Sequence, residues 1–187
     1  RMVFDKNGRK TGHRFVRGLM RSHAKLSYEQ AQAAIDGEPD DATGPIMEAI
    51  LYPLWNAYHA MLKGRLKRSP LQIESAERRI CMAPDGGIAS IEKRTSLEAH
   101  RLIEEMMIQA NVAAAETLEA KKCPVVYRIH GAPSPEKLKN LRDFLETLNL
   151  QVPAAGQLKP AHFNRILEDA KLLPVPELVN EVVLRAQ

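Results

Sequence analysis

The sequence has few of the features that mark secreted, metal-stapled or membrane proteins. Only two cysteines occur in the 187 residues, Cys81 and Cys123, and neither has a potential metal ligand at a typical spacing. There is no uninterrupted apolar run long enough to span a bilayer, and the N-terminal RMVFDKNGRK lacks the apolar segment of a signal peptide. We therefore predict reduced core thiols and a cytoplasmic protein with no membrane contact.

The charge is modest in total and uneven along the chain. The net charge is +4, with 44% apolar and 27% charged residues, which is typical of a globular protein, and one domain is the simplest expectation. Residues 1–37 carry eight Lys or Arg against three acids, and the rest of the chain is close to neutral. A basic N-terminal region suits a phosphate backbone, and a solvated strand face explains it equally well.

The stretch from Ser96 to Glu119 has the clearest periodicity. Apolar residues recur at steps of three and four, which predicts one long helix with Ser96 as its N-cap. Apolar residues also fall opposite the main stripe, so we predict a central helix that is buried on most sides. On it, Glu104 is either a core carboxylate with a partner or a solvated residue at the edge of the helix. Glu105 lies on another face and is expected to be structural.

The other segments predict five further helices and two hairpins, an α+β fold. Asn-Gly and Asp-Gly are strong hairpin signals, because both residues accept the left-handed backbone conformation. The hairpins pair Met2–Asp5 with His13–Met20 and Arg79–Met82 with Ile88–Ile91. One more strand is predicted at Pro124–His130. The helices are predicted at Tyr28–Ile35 after the N-cap Ser27, at Pro45–Arg68 with a kink at Pro53, from Pro135 onward, at Pro160–Leu172 and at Pro176–Gln187.

Two charged clusters are open to more than one interpretation. Asp40 and Asp41 are adjacent on a polar loop, so they cannot converge on a metal ion without further ligands, and a solvated loop is expected. The basic residues of Lys63–Arg68 are expected at a helix C-terminus, where they complement the helix dipole. Contact with phosphate groups is the alternative for the second cluster.

Three strings together resemble a known family. They are RFVRGLMRSHAKLSY near the start, AHRLIEEMMIQANVAAAETLE in the central helix, and PVVYRIHGAPSPEKL after it. In this order and at this spacing they resemble the middle of the catalytic domain of the ribonuclease R and ribonuclease II family of 3′-to-5′ exoribonucleases. The resemblance implies that residues 1–187 form a predominantly helical part of an RNB-type catalytic domain, with two hairpins packed on a long central helix.

The resemblance also implies a reaction, which is the hydrolysis of RNA from its 3′ end to nucleoside 5′-monophosphates. In the family, aspartates of the form D-x-x-x-x-x-D-x-D-D hold Mg²⁺, and a Ser-Pro-Ile-Arg-Arg-Tyr string supplies a catalytic arginine. Neither string occurs here. We therefore expect the aspartates to precede Arg1 and the arginine to follow Gln187. We also expect no catalytic or metal-binding residue within the chain and no nuclease activity of residues 1–187 alone.

Three positions match RNA-contacting residues of the family. Tyr28 ends the first string and matches a tyrosine near the bound RNA, while Glu104 matches a glutamate that helps to hold the terminal nucleotides. Ile73 stands where the family often has a phenylalanine on which bases stack. Because isoleucine has no π face, the stacking energy of ~1–3 kcal/mol per base would be largely lost there.

Other functions remain open from the sequence. The chain could act as a catalytically incomplete helical RNA-binding or scaffolding module, or as an interaction domain without a role in RNA metabolism. Because missing strands of the domain would cover hairpin edges and helix faces, we also expect exposed apolar surface, or a partner chain that covers it.

Overall fold

The computed structural model describes residues 1–73, 78–93, 96–129, 131–152 and 159–186. Six helices and two antiparallel hairpins are present in this part of the chain, as predicted. The elements are β1 (Met2–Phe4), β2 (Lys10–His13), α1 (Tyr28–Ile35), α2 (Tyr52–Arg68), β3 (Arg78–Met82), β4 (Ile88–Lys93), α3 (Glu98–Ala120), α4 (Pro135–Thr147), α5 (Pro160–Ala170) and α6 (Pro176–Ala186).

Two compact units divide the chain. The first consists of Arg1–Arg68 and Ser96–Val126, and the second of Ser69–Thr95 and Tyr127–Gln187. In the first unit, α1, the segment before α2, the start of α2 and α3 bury one apolar core: Ala34, Met47, Leu51, Trp55, Tyr58, Ala99 and Leu102. In the second unit, α4, α5 and α6 bury another: Leu141, Leu145, Phe163, Ile166, Leu167, Ala170, Val179, Val183 and Ala186.

The first hairpin turns at the predicted Asn-Gly, but its second strand is shorter than expected. The Oδ1 atom of Asp5 accepts the backbone N–H groups of Asn7 at 2.8 Å and Arg9 at 2.9 Å, and Gly8 takes φ = +75°. The hydrogen bonds from Arg9 and Asn7 lower the pKa of Asp5. The prediction of a strand over His13–Met20 was wrong, because β1 is short and β2 ends at His13. Residues 14–23 are exposed and have no regular structure.

Two glycines let this hairpin pack directly on the backbone of α2. A Cβ atom added at Gly64 would lie 2.4 Å from the carbonyl oxygen of Gly8, and one added at Gly8 would lie 2.1 Å from the carbonyl oxygen of Ala60. The other side of the hairpin contacts α3, where Lys10 pairs with Glu116. The hairpin therefore packs against both long helices of the first unit.

Helix α1 has the predicted ends. Gln30 N–H donates to Ser27 Oγ at 3.1 Å and Ser27 N–H donates to Gln30 Oε1 at 3.0 Å, which is a complete capping box. After the helix, Gly37 takes φ = +104°. The backbone at Tyr28, the first helical residue, is therefore fixed by its own sequence.

The helix predicted over Pro45–Arg68 starts differently. A 3₁₀ turn at Gly44–Ile46 and a π turn at Met47–Leu51 precede the regular helix α2. Pro53 has no N–H and its ring crowds the carbonyl of the residue four positions earlier, which disfavours regular α-helical geometry in the preceding turn. The irregularity predicted at Pro53 thus takes the form of a wider turn before it.

Two further predictions were wrong. Residues 124–129 form no strand, since they pair with no neighbouring strand and Val126 and Ile129 are exposed, while His130 lies outside the described residues. The thiols are not core groups, because Cys81 is half-buried and Cys123 is exposed. In the part of the chain that the structure describes, every helix is too short or too polar to cross a membrane.

The contact between Gly8 and Gly64 predicts an unusual response to a glycine substitution. Gly→Ala within a helix normally stabilises by about 1 kcal/mol. At Gly64 the added methyl would collide with backbone, so we expect Gly64→Ala to destabilise by roughly 1–3 kcal/mol. Urea unfolding followed by the fluorescence of Trp55 measures this. The control is Gly12→Ala, which has nothing within 4 Å of the added atom. Equal stability of the two variants would contradict the close packing.

Candidate nucleic-acid interface

The start of α3 is held by side chains from itself and from α1. Leu97, and not the predicted Ser96, is the N-cap residue, and its N–H donates to His100 Nδ1 at 3.2 Å. The N–H of Ala99 donates to Gln32 Oε1 of α1 at 3.0 Å. These bonds satisfy N–H groups that have no acceptor within a helix, so they fix where α3 begins and how it lies against α1.

Helix α3 has one buried face and one exposed face, so the prediction of burial on most sides was wrong. The first unit covers only some of the apolar residues of α3, and Met107, for example, is 60% exposed. The buried face carries Ala99, Leu102, Glu105, Gln109 and Ala113. The exposed or half-buried face opposite carries His100, Ile103, Glu104, Met107 and Asn111. Exposed apolar surface of the predicted kind is therefore present.

The buried face contains a carboxylate, and it belongs to Glu105. This residue is 1% exposed and pairs with Arg65 at 3.1 Å and with Arg68 at 3.4 Å. Gln109 Nε2 donates to it at 2.8 Å. The structural role predicted for Glu105 is confirmed, and the need of a buried carboxylate for partners is met by the basic end of α2. At least two of the cations of Lys63–Arg68 therefore bind protein carboxylates.

Arg65 joins the buried carboxylate to the exposed one. Its Nη1 bonds to Glu105 and its Nη2 bonds to Glu104, both at 3.1 Å. Burial lowers the pKa of Arg65, but the hydrogen bonds to Glu105 and Glu104 outweigh this effect and raise it, so the guanidinium stays charged. The side chain of Glu104 is 55% exposed. Of the two alternatives, Glu104 is therefore the solvated residue at the edge of the helix and not a core carboxylate. It presents a carboxylate to solvent in a fixed position.

Sequence reasoning missed the Arg65–Glu105–Gln109 cluster. Glu105 and Gln109 are spaced from Leu102 and Ala113 by three and four residues and so lie on the same face of the helix. This spacing is the sequence feature that could have predicted their burial. Polar residues on a buried helix face require hydrogen-bonding or charged partners, and the basic residues at the end of α2 were the candidate partners. Which of them would reach α3 depended on the packing of the two helices.

Tyr28 lies on the same side of α3 as Glu104. Its ring stacks on the imidazole of His100, with centroids 4.0 Å apart and planes 19° from parallel. His100 and Glu104 are one turn apart on a helix, so the structure brings two of the three predicted RNA-contacting residues to neighbouring turns. Tyr28 remains 38% exposed.

An open apolar cavity of about 400 Å³ lies beside Tyr28. It is lined by residues of α1, α3, the start of α2 and the segments before α1 and α2, among them Ala31, Ile50, Trp55 and Ile103. Its walls are mostly apolar, and His23, Ser27 and Tyr28 are the polar residues of the lining. Tyr28 thus contributes to the lining of an apolar recess and is also exposed to solvent.

Ile73, the third predicted contact, belongs to the second unit. It is half-buried and packs against the core of α4, α5 and α6. Nearby, Asn164 Oδ1 accepts the N–H of Gln72 at 2.8 Å and Asn164 Nδ2 donates to the carbonyl of Pro70 at 2.9 Å, which fixes the backbone before Ile73. The side chain of Ile73 presents aliphatic surface only.

The basic N-terminal region includes exposed cations. Arg14, Arg17 and Arg21 lie in the irregular segment after β2, together with the exposed Phe15 and Leu19. They are not part of a strand face, which was one of the two interpretations of this region. Exposed arginines beside apolar side chains can contact phosphates and bases.

None of the described residues forms a group of three or more His, Cys, Asp or Glu side chains that could hold a metal ion. Asp40 lies on the exposed loop expected from the sequence, and its side chain caps that loop. It accepts hydrogen bonds from the side chain and the backbone N–H of Thr43, at 2.7 and 2.8 Å, and these lower its pKa.

Comparison with known proteins decides the family. A family model described as the RNB domain matches residues 1–187, the entire chain. The chain belongs to the RNB domain family. Ribonuclease R of Escherichia coli (strain K12) is 33% identical over 187 residues, which are 99% of this chain and 23% of that protein. Ribonuclease R of Aquifex aeolicus is 31% identical over 186 residues, which are 99% of this chain and 26% of that protein.

Solved structures show the same RNB fold. The apo form of Mycoplasma genitalium RNase R matches with a TM-score of 0.88 at 22% identity, over 99% of this chain and 29% of that chain. The same protein in complex with ribose-methylated single-stranded RNA gives the same values. The α+β, predominantly helical fold is confirmed. The RNB chain described here spans about a quarter of the length of the curated relatives it matches.

The two adjacent glutamates of this RNB chain should respond differently to neutralisation. In Glu105→Gln the buried arginine contacts lose their charge partner, and we expect a loss of about 1.5–3 kcal/mol, the range for hydrogen bonds to charged groups. In Glu104→Gln the lost pair is solvent-exposed, and we expect less than about 1 kcal/mol. Urea unfolding of both variants, followed by Trp55 fluorescence, tests this. Equal losses would mean that Glu105 is not the anchoring residue.

Proposed function

We propose that this chain is part of a 3′-to-5′ exoribonuclease that hydrolyses RNA to nucleoside 5′-monophosphates. Its contribution is to form walls of the channel that holds the RNA. The observation that carries the proposal is the match of the RNB domain to the whole chain, together with its similarity to Ribonuclease R. The exposed face of α3, with Glu104 and the stacked Tyr28, is the surface that we assign to RNA.

The catalytic metal belongs elsewhere in this proposal. RNB nucleases are in general metal-dependent, and we propose Mg²⁺ held by aspartates outside the 187 residues. When bound there, such an ion would supply activation of the attacking water and stabilisation of the leaving oxygen. The described residues do not form a site for it, so we assign them no catalytic step. We assign them the binding and orientation of RNA, in a protein that we place in the cytoplasm.

Glu104 is suited to recognising ribose. Its carboxylate is exposed, and Arg65 binds one of its oxygens, which leaves acceptor positions directed to solvent. A carboxylate can accept a hydrogen bond from a 2′-hydroxyl, which DNA lacks. Since Arg65 is itself held by Glu105, the acceptor is positioned before RNA arrives, and little entropy is lost on binding.

Tyr28 and Ile73 would contact bases in different ways. Tyr28 exposes part of an aromatic ring, on which a base of any sequence can stack. Ile73 can make only van der Waals contacts. The arginines of the segment after β2 would add sequence-independent attraction to phosphates, so binding should weaken as salt increases.

The proposal predicts that the 187-residue chain binds single-stranded RNA in a salt-dependent manner and does not hydrolyse it when Mg²⁺ is added. Fluorescence anisotropy with a 5′-labelled oligoribonucleotide, whose 3′ end is free, followed by electrophoresis of the same sample, measures both properties. Hydrolysis by a clean preparation would show that catalysis does not need residues outside the chain. Absence of RNA binding at low salt would favour an interaction domain without a role in RNA metabolism.

A catalytically incomplete binding or scaffolding module would give the same result with the isolated chain. The length of the encoding reading frame separates the two functions. A frame about four times as long, as in the relatives, supports the exoribonuclease. A frame that starts and stops at the ends of this chain supports the module.

Glu104→Gln should lower the preference for RNA over DNA. We expect the ratio of the two affinities to fall roughly ten-fold, because a hydrogen bond to a charged group is worth about 1.5 kcal/mol or more. The ratio is the proper measure, because removing a negative charge raises the affinity for both nucleic acids. Glu146→Gln, at an exposed position of α4, is the control for charge. An unchanged ratio would remove Glu104 from the proposed site.

A further inference from the structure

His100 has two contacts whose combination has a consequence for the proposed RNA site. Its ring lies against that of Tyr28, with 4.0 Å between the centroids and 19° between the planes. At the same time its Nδ1 atom accepts the N–H of Leu97 at 3.2 Å. An acceptor role for Nδ1 leaves the ring proton on Nε2. One imidazole therefore both caps α3 and supports the tyrosine.

Both rings are fixed through the starts of their helices. His100 is the third residue of α3, and the hydrogen bond to the N-cap N–H restricts the rotation of its ring. Tyr28 is the first residue of α1, whose backbone is held by the reciprocal bonds of Ser27 and Gln30. The relative position of the two helix starts is held in turn by Gln32, which accepts from Ala99. The stack is thus built on two capped helix ends that are tied together.

The stack decides which side of Tyr28 a ligand can use. One face of the phenol ring is covered by His100, and 38% of the residue remains exposed. A base can stack only on the uncovered face, and it meets a ring whose rotamer is already selected. Less side-chain entropy is then lost on binding than with a freely rotating tyrosine.

We propose that His100 is a positioning residue, which holds Tyr28 in the orientation in which its free face stacks on an RNA base. The inference rests on the proposed RNA-binding function and adds to it a residue that acts through Tyr28. A purely structural role for His100, the capping of α3, is the alternative. The two roles depend on different parts of the imidazole and can be separated by substitution.

Two variants make this separation. Gln at the third position of a helix can accept the N-cap N–H as in a capping box, so His100→Gln keeps the cap and removes the ring. His100→Phe keeps an aromatic ring against Tyr28 and removes the acceptor. Tyr28→Ala and the double variant His100→Gln/Tyr28→Ala complete the set. Trp55 fluorescence confirms that each variant is folded.

The experiment measures the affinity of the chain for single-stranded RNA by anisotropy and the stacking of Tyr28 by NMR. We expect His100→Gln to lose affinity at least about five-fold, as Tyr28→Ala does, with no further loss in the double variant. His100→Phe should restore most of that affinity although it is less stable. The ring-current shifts of the Tyr28 protons should be present in the wild type and in His100→Phe and absent in His100→Gln.

Two results would overturn the inference. If His100→Gln binds RNA as tightly as the wild type while Tyr28→Ala does not, the imidazole does not position Tyr28 for binding. If His100→Phe loses as much affinity as His100→Gln, the cap and not the ring is what matters. A wild type that does not bind RNA, or a Tyr28→Ala variant that binds it normally, contradicts instead the proposed function of Tyr28 on which the inference rests.

Discussion

The first unit depends on the buried carboxylate of Glu105. A charged group that is removed from water must be paired, and Glu105 is paired by two arginines from the end of α2 and by Gln109 one turn along α3. An apolar pair of similar volume could hold the helices together equally well, but it would tolerate several relative positions. Hydrogen bonds to a carboxylate have preferred directions, and they fix the register of α2 against α3.

That register also determines what the exposed surface presents. Arg65 uses one side of its guanidinium for Glu105 and the other for Glu104, so the solvent-facing carboxylate is placed by the buried one. Arginine suits this role because its planar group presents several N–H donors at fixed angles. The close approach of Gly8 to Gly64 then brings the first hairpin onto the same helix, and Lys10 ties it to α3. The helices that carry the proposed RNA-facing surface are thus held by a buried ionic cluster, one backbone contact and one ion pair.

The exposed apolar residues of α3 fit this picture. The sequence of α3 is apolar on several sides, but the first unit covers only one face of this helix. The remaining apolar surface is available for contact with another molecule or segment. In the proposed exoribonuclease, both RNA and further parts of the catalytic domain would have such surfaces available. Glu104 and Tyr28 are a polar and an aromatic feature within this apolar region, which is the composition expected where bases and riboses are bound together.

The sequence by itself determined the local elements and the family. The cap of α1, the start of α4 at Pro135, the Asn-Gly and Asp-Gly turns and the long period of α3 depend on residues close together in the chain, and they are where they were predicted. The predictions that were wrong all required a neighbour. Residues 124–129 and the end of the first hairpin lacked a strand to pair with, and the start of α3 moved to Leu97 because His100 and Gln32 accept its N–H groups. Only the tertiary structure could decide that Glu105 is buried while Glu104 is exposed, because the arginines that pair with them are about forty residues away, on another helix.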